Sequence, residues 1–404
     1  MLLFVGCSRN STEVYYAPPP EIYYGSVQEP VLEPVPDAPV VVDQNDHKPG
    51  EPDLTVLCFA EYWLQQLTLE QKIGQLIMPR LTWQTTEVNP AAWPWNSDVE
   101  YGGFILFGDN VQTIQQVQAL TRDMQARAQL PLFISTDEEG GRVSRVGRLF
   151  ESGPTPAAFD ISCKENVYQT GIAIAGRLLT LGINMNFAPV ADIWSNPANR
   201  VIGNRAFGHT AKDVSYHVAA SVESLQTSGV FATLKHFPGH GDTYEDSHYQ
   251  LAFHNHDIYR FWEKEALPFI SGIQAGVVAV MIGHISTPQI GGHTALLPWM
   301  QPWIDSGNLP ATFSDFWLQD VLRTQLGFDG LIITDALEMR ALTDHFTCGQ
   351  IALGAFIAGA DILLVPANPE EAFQALLGGY NDGVFDRARL NESVRRILRA
   401  KEGL

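Results

Sequence analysis

The sequence predicts an α/β protein that forms a single (β/α)8 barrel of the TIM type after an N-terminal proline-rich extension. From about residue 54, short apolar, β-branched segments alternate with longer helix-like stretches, which is typical of a parallel sheet. The apolar segments number eight, and residues 54–404 exceed the roughly 250 residues that one barrel needs. The alternative is an open doubly wound sheet. No GxGxxG follows the first strand and no GxxxxGK[ST] is present, which favours the barrel.

The predicted strands share apolar runs that end in polar or small residues. They cover residues 75–81, 103–107, 131–136, 183–189, 230–237, 277–285, 330–335 and 361–366. The predicted helices cover residues 111–129, 165–181, 212–228, 259–274, 314–325, 349–358 and 391–401. We therefore expect residues 54–404 to form one catalytic domain.

Residues 1–53 have the composition of an extended tether, with many prolines and little periodicity. A short apolar run ends in Val-Gly-Cys7, which resembles the end of a bacterial lipoprotein signal, although no basic residues precede it. We expect a lipid anchor at Cys7 and a location in the cell envelope, periplasmic or on the surface. The alternative is a tail on a cytoplasmic enzyme.

Composition excludes several classes of function. Lys plus Arg total 25 and Asp plus Glu total 45, so the formal charge is −20 and nucleic-acid binding is not expected. The four cysteines form no CxxC pair, so we expect neither a disulfide framework nor a structural metal site. We expect a monomer without a cofactor.

Asp335 ends the apolar segment 331–333, and in a barrel such strand ends line the active site. A carboxylate there could attack an anomeric carbon and stabilise oxocarbenium-like charge. The alternative is a helix N-cap, since Asp often begins a helix after a strand.

Asp246 and His248 follow the fifth predicted strand, and their spacing in extended backbone places both side chains on one face. A carboxylate beside an imidazole fixes its tautomer and stabilises its protonated form, which suits general acid/base catalysis. A solvated polar loop is one alternative. A metal site is another, because His236, His240 and Asp242 lie nearby, but glycines and a proline interrupt the segment.

Basic residues lie in or beside the same loops of this acidic chain. They are Arg142, Arg145, Arg205 and Lys235. Arginine can bind sugar hydroxyls in a forked geometry or pair with neighbouring acids.

With these residues in view, the chain resembles the β-N-acetylhexosaminidases of glycoside hydrolase family 3 over roughly residues 60–400. The strongest motif is KHFPGHG at 235–241 with DSH at 246–248. Three further motifs follow the same order in the family: DxEGGRVxR at 137–145, NRAFG at 204–208 and DALxM at 335–339.

The resemblance implies a retaining exo-β-N-acetylglucosaminidase that acts through a covalent glycosyl-enzyme intermediate. Asp335 corresponds to the nucleophile, and His248, on a mobile loop with Asp246 as its partner, corresponds to the acid/base. The residues that correspond to those holding the sugar hydroxyls are Asp137, Arg145, Arg205, Lys235 and His236. The implied substrates are peptidoglycan fragments or related glycans.

Three other functions stay open. A β-glucosidase of the same family is disfavoured by the DSH segment. A β-N-acetylglucosaminide phosphorylase is compatible with a histidine acid/base, which repels incoming phosphate less than a carboxylate does. A non-catalytic glycan-binding lipoprotein on the same scaffold is disfavoured because Asp335 and His248 are both present.

Overall fold

The computed structural model describes residues 59–81, 99–161 and 163–404. The described residues all belong to one compact unit within residues 57–404. The predicted tether at 1–53 and the candidate lipidation site Cys7 lie outside the described residues. No helix in the described ranges is both long and apolar enough to cross a membrane.

Each of the eight predicted strand segments contains one observed strand. In chain order, the strands are β1 (Ile77–Met78), β2 (Gly103–Ile105), β3 (Phe133–Thr136), β4 (Met185–Asn186), β5 (Phe231–Phe237), β6 (Ala279–Ile282), β7 (Leu331–Thr334) and β8 (Leu363–Leu364). Nearly every residue in them is buried, as expected for parallel strands covered on both faces.

Strands β2 to β7 form one parallel sheet in the order β7-β6-β5-β4-β3-β2, and β1 pairs in parallel with β8. Single parallel bridges connect Arg80 with Ile105 and Ile333 with Ile362. The fold is therefore α/β with a curled parallel sheet. Since all strands of such a sheet run in one direction, their carboxyl ends gather at one edge, and the loops that follow them converge there.

The sixth predicted strand, 277–285, is wrong in its length. The structure ends β6 at Ile282, and a separate short strand, Ile285–Ser286, pairs with Ala252–Phe253. The backbone leaves the sheet at Gly283, whose N–H donates to the carbonyl of Phe237 on β5. His284 thereby comes to lie in the loop region rather than in a continuous strand.

Helices connect the strands. The predicted helices are observed at Ile114–Arg127, Lys164–Thr180, Ala211–Thr227, Ala266–Gln274, Cys348–Ala358 and Arg387–Lys401, with π-helical turns at Phe261–Glu265 and Phe316–Gln325. Three longer helices, Phe59–Gln66, Leu69–Gln75 and Pro369–Asn381, and the short helices Gln301–Asp305 and Arg340–Thr343 were not predicted. The first predicted strand also began too early, because Gln75 is the last residue of a helix that Thr68 and Gln71 begin with a capping box.

An aromatic cluster fixes the end of β5. The ring of Phe237 makes edge-to-face contacts with Phe261, Phe269 and Trp317 at centroid distances of 5.9, 5.1 and 5.7 Å. Each such pair stabilises by about 0.5–1.5 kcal/mol beyond its burial. The loop that leaves β5 therefore starts from a rigid position.

Candidate active site

Lys235, on β5, is the buried centre of an ionic network at the carboxyl edge of the sheet. Its Nζ lies 2.8 Å from Asp137 Oδ1 and 2.6 Å from Glu139 Oε1. Burial acts to lower the pKa of Lys235, but the two carboxylates outweigh it and raise that pKa. The lysine is therefore held as a cation.

The alternation of a short strand explains why Asp137 and Glu139 face the same way. Residues Glu138–Gly140 are extended and pair with Val143–Ser144, so odd and even side chains point to opposite sides. The carboxylate of Glu138 accepts hydrogen bonds from Ser144 Oγ and, at 2.9 Å, from the Val146 N–H. Glu138 thus stabilises the loop on the side opposite Lys235, while Asp137 and Glu139 face Lys235.

Arg205 binds Glu139 in a bidentate pair. Its Nε and Nη2 donate to the two carboxylate oxygens at 2.8 Å each. Burial acts to raise the pKa of Glu139, but Arg205 and Lys235 hold it far below its ordinary value of 4.5. Arg145 is more loosely placed, with Nη2 3.9 Å from Asp137 Oδ2 and a side chain that is 35% exposed.

Asp192 organises the two histidines of the KHFPGHG segment. Its Oδ2 lies 2.7 Å from His236 Nδ1, and its Oδ1 accepts the backbone N–H groups of His236 and His240 at 3.2 and 2.6 Å. This pairing leaves His236 Nε2 at 3.5 Å from Arg205 Nη2. The carboxylate of Asp192 thereby fixes the orientation of the His236 imidazole.

Asp335 lies directly after β7, where its backbone N–H donates to the carbonyl of Ile282 on β6. The N–H of Ala336 donates to Asp335 Oδ1 at 2.7 Å. Burial acts to raise the pKa of Asp335, but the imidazoles of His236 and His284 and the Ala336 N–H lower it to about 2. The carboxylate is therefore ionised at neutral pH.

The helix N-cap alternative for Asp335 is wrong. The next helix begins only at Arg340, with Met339 as its N-cap. Within the loop that follows β7, the Asp335 carboxylate accepts one backbone hydrogen bond, from the N–H of Ala336. The carboxylate also lines the cavity described below.

Asp246 and His248 contact each other through His248 Nδ1 and Asp246 Oδ1 at 2.8 Å, and the same oxygen accepts the His248 N–H at 3.0 Å. Their side chains are 36% and 63% exposed. This arrangement fixes the tautomer of the imidazole and leaves its Nε2 at the surface of the loop.

A cavity of about 250 Å³ brings most of the predicted residues together. It is lined by Asp137, Arg145, Arg205, Lys235, His236, His248 and Asp335, together with Glu139, Glu338 and apolar side chains such as Phe187 and Met339. Asp246 lines a second, wider cavity of about 770 Å³ that shares Val143, Arg205 and His248 with the first. In the described part of the chain, no group of three His, Cys, Asp or Glu residues could hold a metal ion.

Sequence reasoning missed Glu139, Asp192 and His284 as site residues. Glu139 could have been found from its spacing to Asp137, which predicts a shared face in an extended strand. His284 is fully buried and bonds Thr312 Oγ1 and the carbonyl of Ala336 at 2.7 and 3.0 Å. Burial lowers its pKa, although Asp335 opposes this, so it supports the Asp335 loop as a neutral imidazole.

Residues 68–400 match the model of the glycosyl hydrolase family 3 N terminal domain. The chain is 34% identical to a beta-hexosaminidase A of Pseudoalteromonas piscicida, over 76% of this chain and 54% of that protein. It is also 34% identical to a beta-hexosaminidase of Hydrogenovibrio crunogenus, over 71% of this chain and 78% of that protein.

Solved structures are also similar to this chain. A glycoside hydrolase family 3 beta-N-acetylglucosaminidase from Paenibacillus superposes with a TM-score of 0.76 at 37% identity, covering 83% of this chain and 62% of that one. A beta-N-acetylhexosaminidase from Beutenbergia cavernae superposes with a TM-score of 0.71 at 28% identity, covering 83% of this chain and 99% of that one. The motifs, the fold and these matches together place the chain in glycosyl hydrolase family 3.

Proposed function

We propose that this protein is a retaining exo-β-N-acetylglucosaminidase in which Asp335 is the nucleophile and His248 the general acid and base. One observation carries the proposal: an ionised carboxylate at the end of β7 lines the same small cavity as an imidazole whose Nδ1 is held by Asp246. The beta-hexosaminidases to which the chain is 34% identical support the choice of substrate class.

In the first step, an Asp335 carboxylate oxygen attacks the anomeric carbon and His248 Nε2–H donates its proton to the glycosidic oxygen. The bond to the leaving group breaks, and the sugar stays bound to Asp335 as an ester. In the second step, His248 removes a proton from water, the water oxygen attacks the anomeric carbon, and Asp335 is released. Asp246 stabilises the imidazolium that donates the proton in the first step and that forms again when His248 takes the proton of water in the second step.

The ionic network serves to hold the sugar. Asp137, Lys235, His236, Arg205 and Arg145 offer both donors and acceptors to the hydroxyl groups at one wall of the cavity. Because Lys235 and Arg205 are already paired with carboxylates, they need no rearrangement when the sugar binds. A volume of about 250 Å³ is below the roughly 300–1,000 Å³ of drug-sized sites, which favours one terminal sugar and hence exo cleavage.

The wider cavity suits the leaving group. It adjoins His248, and Arg142 and Arg200 line it in a chain of formal charge −20. Arginine side chains attract a carboxylate, so a muramic acid residue of a peptidoglycan fragment fits this cavity better than a neutral sugar does. A comparison of N-acetylglucosaminyl-muramic acid with diacetylchitobiose as substrates tests this preference.

We also propose that the two single bridges complete an eight-stranded barrel, since they connect the β1–β8 pair to both edges of the six-stranded sheet. The tether at 1–53, the lipid anchor at Cys7, the envelope location and the monomeric state stay predictions.

The test is release of nitrophenol from the β-N-acetylglucosaminide and the β-glucoside, with and without phosphate, by wild type and Asp335→Asn. We expect selective cleavage of the N-acetyl substrate and a loss of about 10⁴-fold in kcat/KM in the variant, equivalent to about 5 kcal/mol of transition-state stabilisation. Asp344→Asn is a matched control, because Asp344 is exposed and, among the described residues, its carboxylate forms an ion pair with Arg340 alone.

Each other outcome assigns a different function. Sugar 1-phosphate as the main product would make the enzyme a phosphorylase, and preference for the glucoside would make it a β-glucosidase. Absence of turnover by well-folded wild type would favour a glycan-binding protein.

A further inference from the structure

We infer that Ser247 is the residue that positions the acid/base: its hydroxyl, bound to His240, anchors the turn that carries Asp246 and His248. The inference rests on the proposed function of His248. Ser247 itself touches no reacting atom, so it acts through the loop.

Burial changes abruptly along these three residues. The side chains of Asp246 and His248 are 36% and 63% exposed, while Ser247 between them is 2% exposed. The segment is a turn rather than the extended backbone that the sequence predicts, because the N–H groups of Tyr249 and Gln250 donate to the carbonyl of Asp246 at 2.9 and 3.0 Å. This turn places the side chain of Ser247 inside the protein and those of Asp246 and His248 at the cavities. The buried hydroxyl is thus the inward contact of the turn.

The partner of this hydroxyl is a neutral imidazole. His240 Nε2 lies 3.1 Å from Ser247 Oγ, and His240 is 1% exposed. Burial, reinforced by the nearby His236, lowers the pKa of His240 to about 4. His240 is therefore uncharged at neutral pH, and only one of its ring nitrogens carries a proton.

Thr243 decides which nitrogen that is. Its hydroxyl donates to the carbonyl of His240 at 2.9 Å, so its oxygen is free to accept from His240 Nδ1, which lies at 2.7 Å. With the proton on Nδ1, the lone pair on Nε2 accepts the hydroxyl proton of Ser247. The hydrogen bond then runs from the Ser247 hydroxyl to His240 Nε2. Among the described residues, no other group forms a hydrogen bond with either of these two atoms.

His240 is itself fixed to the sugar-binding side of the site. Its backbone N–H donates to Asp192 Oδ1 at 2.6 Å, and the other oxygen of Asp192 holds His236 Nδ1. Asn199 Nδ2 donates to the His240 carbonyl at 2.7 Å. A continuous set of hydrogen bonds therefore connects the sugar-binding His236 to the turn that carries His248.

The expected role is geometric. Without the Ser247 hydroxyl, the turn loses its inward hydrogen bond, and His248 samples positions from which it cannot reach the glycosidic oxygen. Misplacement of a catalytic group by about 1 Å can cost about 10²-fold in rate. The loss should appear only where protonation of the leaving group matters.

The experiment measures kcat/KM of wild type and Ser247→Ala for two substrates that differ in their need for acid catalysis. Diacetylchitobiose releases an alcohol and needs a proton, whereas the dinitrophenyl N-acetylglucosaminide releases a stable phenolate. We expect a loss of about 10-fold to 10²-fold for diacetylchitobiose and less than about threefold for the dinitrophenyl substrate. The ratio kcat/KM is used because it reports only the steps up to departure of the leaving group.

Two controls separate positioning from general damage. Ser224→Ala removes an equally buried hydroxyl, bound to the carbonyl of Ser221, and should change neither rate. In His240→Gln, a further Ser247→Ala change should have little added effect on diacetylchitobiose cleavage, because the partner is already altered.

Equal losses on both substrates, or no loss on diacetylchitobiose, would overturn the inference while leaving the proposed function intact. Wild-type protein that cleaves neither substrate would remove the proposed function, and this inference with it.

Discussion

The two halves of the site differ in how they are held. On the sugar side, Lys235 and Glu139 are 3% and 4% exposed and are locked in paired contacts. On the acid/base side, the side chain of His248 is 63% exposed and contacts the carboxylate of Asp246 on the same loop. In the mechanism that we propose, the buried half is organised before substrate arrives, whereas the exposed half depends on its loop to bring the proton donor into place. The proposal therefore assigns binding and nucleophilic attack to residues held by the buried strands, and proton transfer to an exposed loop.

Among the variants that test this difference between the buried and the exposed half of the site, we expect His248→Ala to have the largest effect on kcat/KM. We expect kcat/KM for diacetylchitobiose to fall by about 10³-fold, because general acid catalysis contributes roughly 10²–10⁴-fold. The dinitrophenyl substrate should lose far less. Steady-state kinetics of both substrates measure the difference.

His345→Ala is the control for that change, since His345 is exposed, contacts Trp303 and lines neither cavity. Equal losses on the two substrates in His248→Ala would contradict a role as acid.

The next effect concerns stability. Glu139→Gln leaves Lys235 and Arg205 buried with one carboxylate fewer, and we expect the free energy of unfolding to fall by about 3 kcal/mol. Asp246→Asn, which alters an exposed pair, should cost at most about 1 kcal/mol. Urea unfolding of both variants makes the comparison.

If the two substitutions cost the same, the division into a rigid and a movable half does not hold. The activity of Asp246→Asn gives a second readout, because His248 then loses its anionic partner while the fold is unchanged.

The smallest effect is a pH dependence. The pKa of His240 in the folded state is about 4, against an ordinary value of 6.5. Between pH 6.5 and about 4, His240 is therefore protonated in the unfolded chain but neutral in the folded protein. The free energy of unfolding falls as the pH drops through this range. Between pH 6.5 and 5, His240 should account for a loss of roughly 2 kcal/mol.

His240→Gln isolates this contribution, because its unfolding free energy should fall less steeply from pH 7 to pH 5 than that of wild type. Identical slopes would show that His240 titrates normally in the folded protein. Carboxylates such as Glu139 also lose their stabilising contribution in acid, but only at lower pH, and both proteins share them.

The sequence predicted the sheet well because each buried strand is a short apolar run. It was less informative at the start of the domain, where the helix Leu69–Gln75 continues directly into β1 and the apolar residues of both merge into one segment. The helix Pro369–Asn381 did carry a signal that was missed: Asn368 caps it, a proline follows, and two glutamates occupy its first turn.

Most of the predicted site residues line one cavity, because the motifs that contain them follow the carboxyl ends of the strands; their roles stay predictions. Their partners were harder to find. Asp192 and Ser247 act through contacts with residues distant in the chain or turned inward, and neither contact follows from spacing. The pKa of about 2 at Asp335 likewise depends on His236 and His284, which other strands bring to it.

The central claim is that Asp335 forms a covalent bond to the sugar. The most direct measurement uses an N-acetylglucosaminyl fluoride that carries a second fluorine on the ring, which slows hydrolysis of the intermediate more than its formation. We expect intact mass spectrometry to show one sugar added per chain, and peptide mapping to place it on Asp335. An adduct on any other residue, or a wild-type enzyme that turns over the reagent and releases the inverted anomer, would contradict the account.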